Sequence, residues 1–335
     1  MTNQFFTQEN SHHIIVIGDV MVDSYIKGQV SRISPEAPVP ILDVTLREFR
    51  LGGAANVALN LKKLGCKVTL CAIIGNDAHG DDLLQLMHKE KLDTQGILRS
   101  SERRTTIKHR IIGNRNQMLR IDEEDNFLLT ENENEQFIAS LSKIINEEKI
   151  AAIIFEDYDK GLLSEKTIST IIKMAEEKEI ITATDPKKRN FFHYAGVTLF
   201  KPNLKEFCDA NNLKIEPFSL PQLQQQAAQF AEEQRFQFLL ITLSDKGLLL
   251  YSRSTQKFIH IPAQLIKVSD VSGAGDTVIS VATLCLLHQL DDQALAYIAN
   301  LAGSIVCQYP GVVPIDMQLL QQELEKSNFF TIKEQ

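Results

Sequence analysis

Apolar residues along this chain fall into short runs, each closed by a small polar cluster. Ile14–Ile17, Lys67–Ile74, Ile150–Phe155, Ile180–Ala183, Val197–Phe200 and Phe238–Thr242 have this form. A brief apolar run bounded by turn residues is the pattern of a strand buried on both faces of a parallel sheet. Leu248–Tyr251 and Lys257–Ile261 add two more strands after the turn Leu243-Ser244-Asp245-Lys246-Gly247. Between them, helical spacing predicts helices from Gly52-Gly53 to Leu64, with Gly65 as cap, and over Asp81–Lys91, Asn132–Glu148, Ser164–Glu179, Val278–Leu290 and Gln293–Gln308. Strands alternating with helices predict an α/β fold with a central, mostly parallel sheet flanked by helices. Two segments break the pattern. Pro35–Pro40 cannot lie inside a helix or a central strand. Ile41–Arg47 and Thr105–Arg120 alternate as half-exposed strands do. They predict a small β lid, from about 22–51 and 101–122, inserted in one domain spanning 1–335; a linker or protected edge is the plainer alternative.

Composition narrows the class. A hydrophobic share of 44% and a charged share of 23% suit a globule with a sizeable core. The net charge of −8 argues against a nucleic-acid surface, so any local basic cluster needs a local anion. Cys66, Cys71, Cys208, Cys285 and Cys307 form neither a zinc spacing nor a disulfide framework. Met1–His13 lacks the apolar core of a signal peptide, and no run reaches membrane-spanning length. The expectation is a cytoplasmic enzyme with no membrane partner.

Lys267–Thr277 carries the strongest chemical signal. Its small polar residues run directly into the apolar span Val278–Leu290, which places a helix start near Ala274. The first amides of a helix have no internal partner, and the helix dipole makes them an anion site. Gly273 and Gly275 leave that backbone open to a phosphate, and Asp276 falls in the first turn. A carboxylate beside a phosphate cradle can take a proton from an attacking hydroxyl. Phosphoryl transfer follows, with Asp276 as base and the amides of Gly273, Ala274, Gly275 and Asp276 holding transition-state charge. The plainer alternative is a helix start whose glycines only permit packing.

Other polar groups stand at the carboxyl ends of the strands, where ligands of open α/β sheets collect. Asp19 and Asp23 follow the first strand and could accept from a polyol; turn chemistry is the alternative. Gly53 and Asn56 open a helix where a ligand could approach the backbone, or where helices pack tightly. Lys108, Arg110, Arg115 and Arg120, with Asn116 and Gln117, form a basic set. It could capture a substrate phosphate or simply be a solvated edge. Asp157 and Lys160 follow another strand, where a hydroxyl and a phosphate could meet them; a plain acidic loop is the alternative. Asp185-Pro186-Lys187 sits at the end of the next strand. Asn203 and Glu206 share a face three residues apart, a spacing that fits either a magnesium contact through water or a capping box. No Walker Gly-x-x-x-x-Gly-Lys-Ser/Thr is present.

Asp270-Val271-Ser272-Gly273-Ala274-Gly275-Asp276 resembles the second signature of the ribokinase/PfkB sugar kinases, with Ser272 where threonine is usual. Gly52-Gly53-Ala54-Ala55-Asn56-Val57-Ala58 resembles the first. The resemblance implies a ribokinase-like fold, ATP as co-substrate, Mg2+ held through water by Glu206, and a monovalent cation as a candidate near the anion hole. It implies nucleotide contacts at Lys187, Asn203, Glu206, Ser244, Gly247 and Asn300, and sugar contacts at Asp19, Asp23, Gly53 and Asn56. Further stretches are similar to the D-glycero-β-D-manno-heptose-7-phosphate kinases of lipopolysaccharide-core synthesis: Gly18–Asp23, Ser31–Pro40, Lys108-x-Arg110, Arg115-Asn116-Gln117, Asp157-Tyr158-x-Lys160-Gly161 and Asp185-Pro186-Lys187. In some species that kinase is the N-terminal half of a bifunctional protein with an adenylyltransferase. The implied reaction moves the γ-phosphoryl of ATP to the anomeric oxygen of heptose 7-phosphate. Lys108, Arg110, Asn116 and Lys160 are then the expected phosphate contacts. Glu156 stands where serine is common, and Lys188 where glycine is. A kinase of another sugar phosphate and a non-catalytic sugar- or nucleotide-binding relative are the alternatives. Exposed apolar lid residues such as Val39 and Ile41 predict a homodimer through the lid.

Overall fold

The computed structural model describes residues 12–214, 218–264 and 266–327. The chain runs β1 (His13–Gly18), β2 (Val20–Ile33), β3 (Pro40–Gly53), α1 (Ala54–Lys63), β4 (Lys67–Gly75), α2 (Ala78–Lys89), β5 (Ile97–Ser100), β6 (Ile107–Gly113) and β7 (Asn116–Glu123). It continues through α3 (Glu131–Glu147), β8 (Ala152–Glu156), α4 (Glu165–Glu177), β9 (Ile181–Asp185), β10 (Leu199–Phe200), α5 (Leu204–Ala210) and α6 (Leu220–Gln234). It closes with β11 (Phe238–Thr242), β12 (Leu248–Ser252), β13 (Lys257–Ile261), α7 (Ala274–Leu287), α8 (Asp292–Val306) and α9 (Met317–Lys326).

Nine strands form one sheet in the order β13-β12-β11-β10-β9-β8-β1-β4-β5. The pairings from β11 through β10, β9, β8, β1 and β4 to β5 are parallel, and only β11–β12 and β12–β13 are antiparallel. The fold is α/β with a mostly parallel central sheet, as the alternation of elements predicts. Strand β1 shows why its run is continuously apolar. Ile14 and Val16 enter one core with α1, α7 and α8, while Ile15 and Ile17 enter the opposite core with α3, α4 and α6. Because both faces are covered, side chains of either parity must be apolar.

A separate four-stranded sheet has the order β3-β2-β6-β7. Its strands reach beyond the expected limits. Strands β2 and β3 span Val20–Ile33 and Pro40–Gly53, two residues beyond the expected 22–51 at each end. Their pairing slips at Lys27/Gly28 and at Val30/Arg32, and these irregularities hide the alternation. Helix α2 begins at Ala78, three residues before Asp81, because Asp77 caps it through the Gly80 amide.

Candidate active site

Helix α7 begins on Gly273, whose φ of 82° puts it in the left-handed region, and no side chain caps it. A side chain at Gly275 would stand 3.4 Å from both the Asp185 carboxylate and the Lys201 ammonium. The bare first turn therefore faces a charged wall with its amides available to an anion.

Asp276 lies in that turn, buried. Its Oδ2 accepts from Asn56 Nδ2 at 2.7 Å, and its Oδ1 accepts from the Tyr158 hydroxyl at 2.9 Å. The amide of Asn56 is itself held. Asn60 Nδ2 donates to the Asn56 side-chain oxygen at 3.3 Å and to its backbone carbonyl at 2.8 Å, while Asn60 Oδ1 accepts from Thr277 Oγ1 at 3.0 Å and from the Ile315 amide at 2.9 Å. So the first helix of one signature is joined to the first turn of the other. Burial raises the Asp276 carboxyl above the ordinary range and Asp185 adds to it, whereas the Asn56 and Tyr158 bonds oppose the rise. A buried carboxylate given hydrogen bonds but no direct cation is suited to receive a proton.

Beside it lies a dense charge cluster. One carboxylate oxygen from each of Glu156, Asp185 and Asp276 falls within 4.8 Å of the others, and all three residues are buried. Lys201, 2% exposed, pairs with Asp185 at 2.7 Å. Lys187 pairs with Glu206 at 2.5 Å. Burial opposes the charge on Lys187, but Asp185 and Glu206 outweigh it and hold its pKa above the usual value. Glu156 is the exception: it is 0% exposed, and neither carboxylate oxygen has a hydrogen-bond partner. Burial, then Asp185 and Asp276, push its carboxyl far up.

Asn203 and Glu206 form a reciprocal capping box on α5. Asn203 Oδ1 accepts from the Glu206 amide at 2.8 Å, and Glu206 Oε2 accepts from the Asn203 amide at 2.9 Å. With Oε1 on Lys187, both Glu206 oxygens already have partners. The expected metal contact thus coincides with a structural cap.

A cleft of about 1670 Å³ opens from this cluster. Every expected nucleotide residue lines it (Lys187, Asn203, Glu206, Ser244, Gly247 and Asn300), and so do Gly273, Ala274, Gly275 and Asp276. Gly247 has φ 91°, and a Cβ there would meet the Ile261 carbonyl oxygen at 1.9 Å, so this wall of the cleft requires glycine. Asn300 is turned by its bond to the Pro262 carbonyl at 3.1 Å.

The expected sugar residues lie on the other side of Asp276, at the junction with the small sheet. Asp23 and Lys108 are paired across β2 and β6, and the Arg110 guanidinium bonds the Asp23 carboxylate. The Lys108 ammonium stands 5.8 Å from the centre of the Tyr158 ring, and burial lowers its pKa. Gly53 ends β3 at φ 59°, where a Cβ would meet the Asp19 carbonyl oxygen at 2.4 Å.

Four expected contacts are placed differently. The Asp19 carboxylate accepts from the backbone amides of Tyr158, Lys160 and Leu162, so it ties down the loop after β8 instead of facing a ligand. Burial and Asp157 raise its pKa to about 6. Asp157 points into the body, held by Asn190, Tyr194 and the Asp159 amide. Lys160 is engaged by Glu124 at 2.7 Å. Asn116 sits in the exposed turn pairing with Gly113, at the far end of β6 from Lys108. A loop residue's direction depends on which neighbour satisfies it, and strand-end position alone does not reveal that.

Tyr158 and Lys201 join the site without being among the expected site residues. Tyr158 joins Asp276 to Lys108 and to Lys187, whose ammonium lies 5.3 Å from its ring. Its position two residues past the end of β8 is a usable signal. A lysine directly after the apolar β10 was the corresponding signal for Lys201.

The sequence profile described as pfkB family carbohydrate kinase matches residues 11–317. Among curated proteins, the chain is 40% identical over 312 residues to the bifunctional protein HldE of Methylobacillus flagellatus, covering 93% of this chain and 63% of that protein. It is 37% identical over 311 residues to the bifunctional protein HldE of Campylobacter jejuni, covering 92% and 64%. The chain thus spans less than two thirds of these relatives. Among solved structures, Escherichia coli phosphofructokinase-2 in complex with potassium superposes with a TM-score of 0.77 at 19% identity, covering 94% of this chain and 99% of that one. Arabidopsis thaliana ribokinase complexed with ribose and ATP does so with 0.70 at 15%, covering 93% and 99%. At these identities the two structures speak for the fold alone. A bare helix start and a buried carboxylate beside a deep cleft, together with a profile match across nearly the whole chain, lead to one assignment: the chain belongs to the pfkB family of carbohydrate kinases.

Proposed function

We propose that this chain transfers the γ-phosphoryl group of ATP to the anomeric hydroxyl of D-glycero-β-D-manno-heptose 7-phosphate, giving heptose 1,7-bisphosphate and ADP. One observation carries the reading: Asp276 is buried between the cleft and the basic end of the small sheet. In this reading Asp276 takes the hydroxyl proton as the sugar oxygen bonds to the γ-phosphorus, and the bond to the β-phosphate oxygen breaks. The Gly273–Asp276 amides receive the charge that develops on the transferred group. Asn56 and Tyr158 hold the Asp276 carboxylate in place. Lys187, Lys201, Ser244, Gly247 and Asn300 serve the nucleotide. Asp23, Gly53 and Asn56 meet the sugar hydroxyls, and Lys108 with Arg110 meets the 7-phosphate.

The resemblance to heptose-7-phosphate kinases in the paired Lys108-x-Arg110 and Asp157-Tyr158-x-Lys160 stretches supports the substrate. The name of the curated relatives agrees with it. A phosphorylated substrate also explains buried cations in a chain of net charge −8. Glu156 and Asp185 offer only oxygen, as Mg2+ prefers, and Glu156 has two unpartnered oxygens to give, which leaves Asp276 beside them as the base. Glu206 would act on such an ion only through water. Mg2+ bound there would neutralise phosphate charge. A monovalent cation near the anion hole at Gly273–Asp276 is also part of the reading.

The Lys108→Met variant tests the phosphate contact. A hydrogen bond to a charged group contributes about 1.5–3 kcal/mol, so KM for the 7-phosphate should rise on the order of 10–100-fold while kcat changes little. Equal loss for phosphorylated and unphosphorylated sugars would sink the assignment of Lys108.

The small sheet is the proposed lid, and its outer part exposes Ile33, Val44, Leu46, Leu119 and Ile121, each at least 44% accessible. Apolar side chains left exposed on this sheet mark an interaction surface, and a second copy of the chain is the proposed occupant. Sedimentation should show a dimer, and Leu119→Glu combined with Ile121→Glu, two residues on one face of β7, should give monomers. A monomeric wild type would contradict this.

No helix among the described residues is long and apolar enough to cross a membrane. The proposed site of action is the cytoplasm, where ATP is supplied.

A further inference from the structure

On the face of β6 opposite Lys108 and Arg110, a second group of donors gathers. His79 comes from α2, His109 from β6 and Glu123 from β7. One nitrogen of each imidazole and one Glu123 oxygen all fall within 4.8 Å of one another. The rings meet edge to face with centroids 6.1 Å apart. Each ring is also oriented from behind. The Nδ1 of His109 lies 3.0 Å from Ser24 Oγ, which leaves Nε2 facing Glu123 Oε1 at 3.4 Å. The Nδ1 of His79 lies 3.3 Å from Asp82 Oδ2. An imidazole held through one nitrogen by a carboxylate or hydroxyl is the usual support behind a metal-binding histidine. Side-chain exposures of 32%, 19% and 48% leave the group open to entry from solvent.

We propose that His79, His109 and Glu123 bind a divalent transition metal of the zinc class. Two imidazoles and one carboxylate, with water completing the shell, form a known ligand set for zinc, and imidazole favours this class over Mg2+. Bonds of about 2.0–2.1 Å to a tetrahedral ion place ligand atoms about 3.3 Å apart. The observed group closes to that spacing by side-chain rotation on the order of 1 Å. The ion would join α2, in the main body, to β6 and β7 of the small sheet. It would therefore fix the strand whose opposite face carries Lys108 and Arg110. This site is separate from the oxygen-only cluster around Asp276 and does not depend on which sugar is phosphorylated.

The test uses the full chain without an affinity tag or nucleotide, titrated with Co2+ alone. One equivalent should bind with a visible ligand-field band, and one equivalent of Zn2+ should displace it. In the His79→Ala/His109→Ala double variant the band should vanish. Its metal-free thermal midpoint, compared with wild type, reports whether the fold is kept. Should the double variant fail to fold, Glu123→Gln decides instead, since this exposed side chain is dispensable for packing. Affinity for Co2+ should then fall at least tenfold. The proposal is overturned by an absent band, by a band unchanged in these variants, or by a near-ultraviolet thiolate band that places the metal on cysteine.

Discussion

The Asp276→Asn variant should lose about 10²–10⁴-fold in kcat while still binding ATP and the sugar phosphate, the range expected when a general base is removed. The substitution is nearly isosteric. The new amide oxygen can still accept from Asn56 Nδ2, and its NH2 can donate to the Tyr158 oxygen, so both contacts are kept, the second with its direction reversed. What disappears is the capacity to accept a proton. The loss should therefore fall on kcat, with KM and ligand affinities nearly unchanged. Steady-state kinetics beside equilibrium ATP binding reads this directly. Equal losses in binding and turnover would make Asp276 a structural residue.

The Lys201→Met variant should be the most destabilising single change near the cleft. Lys201 is wholly buried and is the nearest cation to Asp185, with Glu156 and Asp276 close by. Removing one partner of a buried pair leaves the other charge uncompensated, at about 3–5 kcal/mol. That is a large part of the roughly 5–15 kcal/mol that holds a typical domain folded. Denaturant unfolding should show the loss as a lower midpoint. Adding Glu156→Gln should restore part of it, because Glu156 and Asp185 both face Lys201 and their effects cannot be additive. Glu156→Gln alone has a pH signature. The folded-state pKa of Glu156 is raised above its ordinary 4.5. Its contribution to stability is thus intact below that value and is lost as pH rises through the raised pKa. The glutamine variant should therefore gain stability over wild type as pH increases above about 4.5. A gain that shrinks with rising pH would refute the burial of an ionisable Glu156.

The parts of the fold that depend on local pattern were legible. Ile14–Ile17 reads as a doubly covered strand because its side chains of both parity are apolar, and the structure sends them into two cores. Gly273 before a continuously apolar span marks a bare helix start for the same local reason. What was not legible depends on pairing at a distance. Asp19 and Asp157 stand at strand ends as ligand-binding carboxylates do, but loop amides, Asn190 and Tyr194 take their oxygens. Tyr158 reaches Asp276 across 118 positions of sequence, a distance over which no spacing rule operates. The long hairpin of β2 and β3 corresponds to the expected lid at about 22–51, although two slips in register interrupt its alternation. Asn203 and Glu206 carry both readings at once: their spacing makes a capping box, and the box lines the cleft.

The most direct test of the central claim is ADP formation with ATP and Mg2+ across a sugar panel: D-glycero-β-D-manno-heptose 7-phosphate, fructose 6-phosphate, fructose 1-phosphate, ribose and adenosine. Turnover selective for the heptose 7-phosphate is the predicted result. Selective turnover of another member, or none with any sugar while ATP still binds, would contradict it.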